Sequence, residues 1–183
     1  MVMIIGLHLS CSQDKAQPMD NPIQLDKYFP LKAFVEKQVG LLDGAKVSKT
    51  IAISGEEDHI ELFMDAEAWR KELDIFIQSD INKASLASSY DTEESPDLII
   101  HRLKPGEKSS IQEIRIAFDD DEISRINFIS DQDEFFYTSR SIGEMVMDVS
   151  SGLIQSYEVS GSQKVWFLPT NEMNVRGELV SSD

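Results

Sequence analysis

Few residues in this 183-residue chain are of a type that could do covalent chemistry. There is one cysteine, Cys11, and there are three histidines, His8, His59 and His101. A serine hydrolase needs a base oriented by a carboxylate and a serine held on a strained turn. The nearest turn serines, Ser54-Gly55 and Ser151-Gly152, sit in no Gly-x-Ser-x-Gly. His59 follows Asp58 where the pattern predicts a hairpin, so the two side chains point to opposite faces. No Gly-x-Gly-x-x-Gly, Walker loop or His-Glu-x-x-His is present, which removes the usual frames for nucleotide and zinc chemistry. A glycosidase-type hydrolase needs only two carboxylates at a set separation, but with 33 acids in the chain no single Asp or Glu is informative. No catalytic residue and no cofactor is assigned.

Hard cations are the remaining possibility. Asp119-Asp120-Asp121-Glu122 and Asp131-Gln132-Asp133-Glu134 each bring several carboxylates together, making Asp119, Asp121, Asp131 and Asp133 the calcium candidates. Neither run has the EF-hand spacing. A strand over 122–130 would hold them about 25–30 Å apart, so they cannot share an ion. Asp is favoured in hairpin turns because it tolerates left-handed backbone and bonds its own chain. Ordinary turns are the expectation, and no metal site is assigned.

The lone cysteine excludes an intramolecular disulfide and calls for another explanation. Residues 2–9 form a short apolar run that ends at Ser10-Cys11 and gives way abruptly to Ser12-Gln13-Asp14-Lys15. That is the layout of a signal peptide and its cleavage site, and no apolar stretch of about 18 residues exists to span a bilayer. Leu9-Ser10-Cys11 resembles the lipobox of bacterial lipoproteins, and Ser-Cys-Ser resembles its spelling in Bacteroidota. The resemblance implies acylation of Cys11 and anchoring in a bacterial envelope, with the outer membrane expected. Two or three acyl chains, at about 0.8 kcal/mol per buried methylene, hold firmly where one does not. His8 stands where the lipobox usually has an aliphatic residue. No basic segment precedes the run, so the natural start is expected several residues upstream. The organisation expected is a signal peptide over 1–10, a lipid-anchored tether over 11–24 and a single domain over 25–183.

The elements that must position any site follow from periodicity. Leu31, Phe34, Val35, Leu41 and Leu42 share one helical face, predicting a helix over 31–43 closed by Asp43-Gly44. Alternation over Val47–Ile53, a turn at 55–58 and Ile60–Met64 predict a hairpin. Asp65 caps a second predicted helix over 66–79, with Trp69, Leu73, Phe76 and Ile77 inward. Strands are then predicted over 86–91, 97–103, 111–118, 122–130, 134–141, 144–149, 153–159, 163–168 and 174–180. The class expected is α+β, with two N-terminal helices packed on one large, curved antiparallel meander. Trp166 is expected in the core with Trp69. In Phe135-Phe136-Tyr137, alternation would expose Phe136 if its neighbours are buried.

Taken whole, helix, hairpin, helix and long meander resemble a group of Bacteroidota lipoproteins without known activity. Lys37-Gln38-Val39-Gly40-Leu41-Leu42, Asp80-Ile81-Asn82-Lys83 and Tyr137-Thr138-Ser139 carry the likeness. A net charge of −16 with no compensating basic cluster argues against nucleic acid and against anionic membrane faces. Membrane contact is expected through the N-terminal lipid only, alongside an envelope protein partner. The leading functional expectation is a non-catalytic binding or assembly module. The alternatives are a carrier holding a hydrophobic ligand between sheet and helices, and a carboxylate-based hydrolase.

Overall fold

The computed structural model describes residues 27–180; the expected signal peptide, the tether and Cys11 lie outside them. Helix α1 (Leu31–Leu41) leads into the hairpin β1 (Ala45–Ile53) and β2 (Glu56–Met64). Helices α2 (Ala66–Glu72) and α3 (Asp74–Gln78) and a 3-10 turn at Ala84–Leu86 follow. Seven strands complete the chain: β3 (Tyr90–Ser95), β4 (Leu98–Leu103), β5 (Ile111–Asp119), β6 (Glu122–Asp133), β7 (Tyr137–Asp148), β8 (Leu153–Val165) and β9 (Asn171–Leu179).

All nine strands form one antiparallel sheet in the order β2-β1-β9-β8-β7-β6-β5-β4-β3. The last strand therefore pairs with the first, Ile51 opposite Val175. Connections 54–55, 104–110, 134–136 and 166–170 gather at one end of the sheet, called here the loop end. Turns at 96–97, 120–121 and 149–152 lie at the opposite, turn end. The two-residue loops Ser54-Gly55 and Asp120-Asp121 all have positive φ, the geometry that matches the twist of a tight hairpin.

Register shows how the helices sit. Tyr157, Met145 and Ile126 face one another across three strands, and Val159, Gly143 and Phe128 form the row two residues on. With a period of two, both rows belong to one face. Trp69 of α2 meets the Tyr157 ring edge-on with centroids 6.2 Å apart, and Phe76 of α3 meets Phe128 at 5.2 Å. Gln38 of α1 donates to Gly152 O at 2.8 Å and accepts from Ile154 N at 3.2 Å, locking the β7–β8 turn. Leu31, Val35, Leu73, Phe76, Phe128 and Met145 fill the space between. The opposite face is solvated and polar, for example Asn127 Nδ2 to Glu144 at 2.9 Å and Asn174 Nδ2 to Glu158 at 2.7 Å.

The Asp80-Ile81-Asn82 segment has a structural task. Pro30 precedes α1 and offers no capping side chain. Buried Asp80 supplies the cap from a distance, accepting from Lys32 N at 2.7 Å through Oδ2 and from Asn82 N at 2.7 Å through Oδ1. Asn82 then grips the incoming chain, accepting from Tyr28 N at 2.9 Å and donating to Phe29 O at 3.0 Å.

Several expectations need correction. The helix over 66–79 is broken at Leu73, where the turn tightens and Phe76 N bonds Leu73 O at 3.0 Å. Three α-helices therefore stand among the described residues where two were expected, although Trp69, Leu73, Phe76 and Ile77 all remain buried. The strand expected over 86–91 is displaced: the 3-10 turn ends at Leu86 and β3 runs from Tyr90 to Ser95, through residues expected to be a connection. Gly143 and Gly161-Ser162 do not interrupt strands but lie inside β7 and β8, so four expected strands are two long ones. At Gly143 the Phe128 ring occupies the place of a side chain. Asp131-Gln132-Asp133 is the end of β6 rather than a turn. In β5 a register shift between Ile111 and Glu113 brings Ile111 into the core with Ile114 and Ile116.

Candidate functional site

The sequence candidates do not converge. Asp119 and Asp121 lie at the turn end of β6, Asp131 and Asp133 at its loop end. Among the described residues, no three His, Cys, Asp or Glu side chains come together in a group suited to a metal ion. Ser54 Oγ donates to Asn171 Oδ1 at 2.7 Å, tying the first hairpin turn to the start of β9. Ser151 Oγ donates to Asp148 Oδ2 at 2.7 Å within its own turn, so both hydroxyls are in structural bonds. Bonds from Ser150 and Ser151 hold the Asp148 carboxyl below its usual range. His59 is exposed and bonds Thr50 Oγ1 and Glu57, away from either serine.

His101 is buried and structural. Its Nε2 accepts from Phe29 N at 3.1 Å, so the ring proton sits on Nδ1 and is donated to Thr92 Oγ1 at 2.9 Å. Burial lowers its pKa to about 4, which keeps the ring neutral. Glu113 is also buried. Burial raises its pKa, but bonds from Arg115 and Arg102 and their charges outweigh it and hold the carboxyl below its ordinary value.

Beside α2 and α3 an open cleft of about 470 Å³ is lined by Ile75, Val159, Met173 and Val175, with Lys49 and Glu72 on its wall. Lys49 Nζ pairs with Glu72 at 2.5 Å, and Tyr157 OH donates to the same carboxylate at 2.9 Å. These groups spend their polar atoms on one another. Burial and the Glu72 charge push the Tyr157 phenol pKa up.

The feature that breaks the ordinary rules is at the loop end. Glu134 and Tyr137 exchange backbone bonds of 2.9 and 3.2 Å, leaving Phe135-Phe136 as the tip of the β6–β7 hairpin. Trp166-Phe167-Leu168 begins the neighbouring β8–β9 loop. The loops are joined through the Tyr137–Val165 pair and by Trp166 N donating to Phe136 O at 3.1 Å. Exposures are 85% for Phe135, 61% for Phe136, 76% for Trp166, 79% for Phe167 and 52% for Leu168. The two phenyl rings of the tip meet edge-on at 4.7 Å. A buried aromatic covers about 150–250 Å², so four this exposed present on the order of 600 Å². That reaches the top of the ~300–600 Å² usual for the largest apolar patch on a monomer. Leu41, Ile60 and Phe63 are also exposed but stand on other elements.

The expected core position of Trp166 is thus overturned. The 163–168 run reads as a buried strand, yet β8 ends at Val165 and the rest is loop. Phe135 is exposed along with Phe136 because both lie on the turn, where strand alternation does not apply. Pro169, directly after Trp166-Phe167-Leu168, is the signal that would have marked this run as loop. At the base of the tips stand Asp131, Asp133 and Glu134, together with Arg140, which pairs with Asp131 at 3.3 Å, and Lys164. Among the described residues no helix is long and apolar enough to cross a membrane. Compared with known proteins, the chain matches no family model, no curated protein and no solved structure.

Proposed function

We propose that this chain is a non-catalytic binding module of a bacterial envelope, tethered by lipid on Cys11, and that the aromatic loop end is its docking surface. One observation carries the reading: five large apolar side chains stand exposed together on two adjoining loops. A chain of this charge gains nothing in folding by leaving them in water, whereas Trp and other aromatics are the usual anchors of interfaces. In this reading the helices are a lid packed on a curved sheet. The carrier alternative needs room under that lid, where Trp69, Leu73, Phe76, Phe128 and Tyr157 are fully buried.

A photo-crosslinking residue in place of Phe167, compared with one at exposed Glu122 of the turn end, tests the docking surface in cells. Adducts, with lipid or protein, are expected at 167 and not at 122. Equal yields at both would remove the docking reading. The anchor is tested separately: Cys11→Ala should abolish palmitate labelling and release the protein from the membrane fraction.

A further inference from the structure

Resting on that docking reading, we infer that what the aromatic end binds is the interface of the bilayer to which the chain is anchored, a neutral or zwitterionic lipid surface. The direction in which the chain leaves the body points there. The described chain begins at Lys27, whose N donates to Asn82 at 3.2 Å and whose Nζ bonds Ala87 O. Tyr28 packs edge-on against Tyr90 at 5.6 Å. Tyr90 OH in turn meets Ser109 Oγ and Ile111 O, each at 2.7 Å, in and beside the 104–110 loop. Ser110 O accepts from Asp131 N at 2.8 Å, and β6 runs from there into Glu134-Phe135-Phe136. The start of the body and the aromatic tips are therefore at one end of the sheet. Fifteen residues lie between Cys11 and Lys27. At no more than about 3.5 Å each they let the anchor lie beside the tips. A lipidated Cys11 and the exposed aromatics then meet the same surface, and a lipid chain with a second membrane signal holds better than either alone.

Side-chain chemistry agrees. Trp and Phe settle at the headgroup level of membranes, and here they stand exposed together on two adjoining loops. The open clefts at this end are lined by other residues, so the tips form knobs, which a deformable bilayer accepts without a matching pocket. The rim carries both signs, Asp131, Asp133 and Glu134 with Arg140 and Lys164. Zwitterionic headgroups answer both, while a net charge of −16 is repelled by anionic lipid.

The protein carries its own probe. Trp69 is fully buried and Trp166 exposed, so a lipid-induced change in tryptophan emission reports the tip. Full-length Cys11→Ala protein is titrated with phosphatidylcholine vesicles, plain and bromine-labelled. A blue shift and bromine quenching are expected, both absent in the added Trp166→Phe variant. Binding should fall at least ~10-fold in Phe135→Ser/Phe167→Ser, with far-UV circular dichroism unchanged, and fall again when phosphatidylglycerol replaces half the lipid. Vesicle binding undiminished by the tip substitutions overturns the inference. So does an absence of vesicle binding combined with protein adducts from position 167, an outcome that leaves the docking reading standing with a protein partner. Concentration-dependent self-association through Trp166 without lipid would overturn it in favour of a second copy. Neither vesicle binding nor adducts at 167 sinks both readings.

Discussion

Gly177 is the position where a single methyl group should do most damage. It lies in β9 opposite Tyr157 of β8, and the Tyr157 ring occupies the space a side chain would need. A Cβ built there falls closer than 3.0 Å to Cζ, Cε1 and Oη of that ring, inside the range real contacts occupy. The ring cannot step aside cheaply. It is 2% exposed, packed edge-on against Trp69 at 6.2 Å, and its hydroxyl donates to Glu72 at 2.9 Å. Moving it loses a hydrogen bond to a carboxylate, worth roughly 1.5–3 kcal/mol. Overpacking the layer under α2 adds about 1–3 kcal/mol. Against this stands a gain of roughly 0.5–1 kcal/mol from replacing glycine inside a strand. Gly177→Ala should therefore cost about 2–5 kcal/mol, a large part of a typical domain's stability.

Gly161, in β8, is the control. A Cβ there meets Ser141 Oγ at 3.5 Å and Arg140 O at 3.7 Å, which are ordinary contacts. Gly161→Ala should be neutral or stabilise by up to about 1 kcal/mol. Urea melts followed by far-UV circular dichroism and tryptophan emission give both numbers. The decisive arm is Tyr157→Leu: with the ring gone, Gly177→Ala should cost less than ~1 kcal/mol, and the difference between backgrounds measures the coupling. Equal melts for Gly161→Ala and Gly177→Ala, or an undiminished penalty in the Tyr157→Leu background, would refute the reasoning.

Trp69→Ala should cost roughly 3–5 kcal/mol in the same melts, and Phe76→Ala a similar amount, since both rings are fully buried. Trp69→Phe should cost much less, because Trp69 Nε1 is buried without a hydrogen-bond partner among the described residues and phenylalanine removes that unmet donor; equal losses for Ala and Phe would contradict this. Below its ordinary value of 6.5 the unfolded chain protonates His101, while the native ring stays neutral down to about pH 4. Native protein thus binds fewer protons in that window, and stability falls as pH drops through it, by about 3 kcal/mol in total. His101→Gln should flatten that stretch of the stability–pH curve, read from urea midpoints; an unchanged slope would mean that other groups set it.

Much of the fold was legible because periodicity is a local signal. Strands β4 and β5 sit where alternation puts them, and the first hairpin does too, although its turn is Ser54-Gly55 rather than 55–58. Of the expected α1 face Leu31, Val35 and Leu42 are buried, while Leu41 is exposed and Gln38 and Val39 are buried in its stead. What misled was punctuation. Gly143 and Gly161 look like strand breakers, yet a glycine under a cross-strand ring is consistent with an unbroken strand, and only the pairing of Phe128 with Gly143 reveals it. Pairing of β9 with β1 joins residues more than a hundred positions apart, so no window of sequence contains it. The distant cap of α1 by Asp80 was equally hidden, although Asp80-Ile81-Asn82-Lys83 stood out as a phrase.

The candidate site was legible only as an inconsistency. Val165-Trp166-Phe167-Leu168 satisfies every local criterion for a buried strand except that Pro169 follows it at once. Phe135-Phe136 likewise satisfies strand propensity while sitting between an acidic run and Tyr137. A sequence shaped by folding alone puts such residues under the helices, where Trp69 and Phe76 are, and puts Gly, Asn and Asp on its turns, as it does at Asp120-Asp121. Here one sheet does both: its turn end follows the rule and its loop end reverses it, on the two loops that share a backbone bond from Trp166 to Phe136 O. Two neighbouring loops that reverse the rule together, at the end of the sheet where the described chain begins, make a surface that folding alone does not explain and that the proposed contact with a bilayer would.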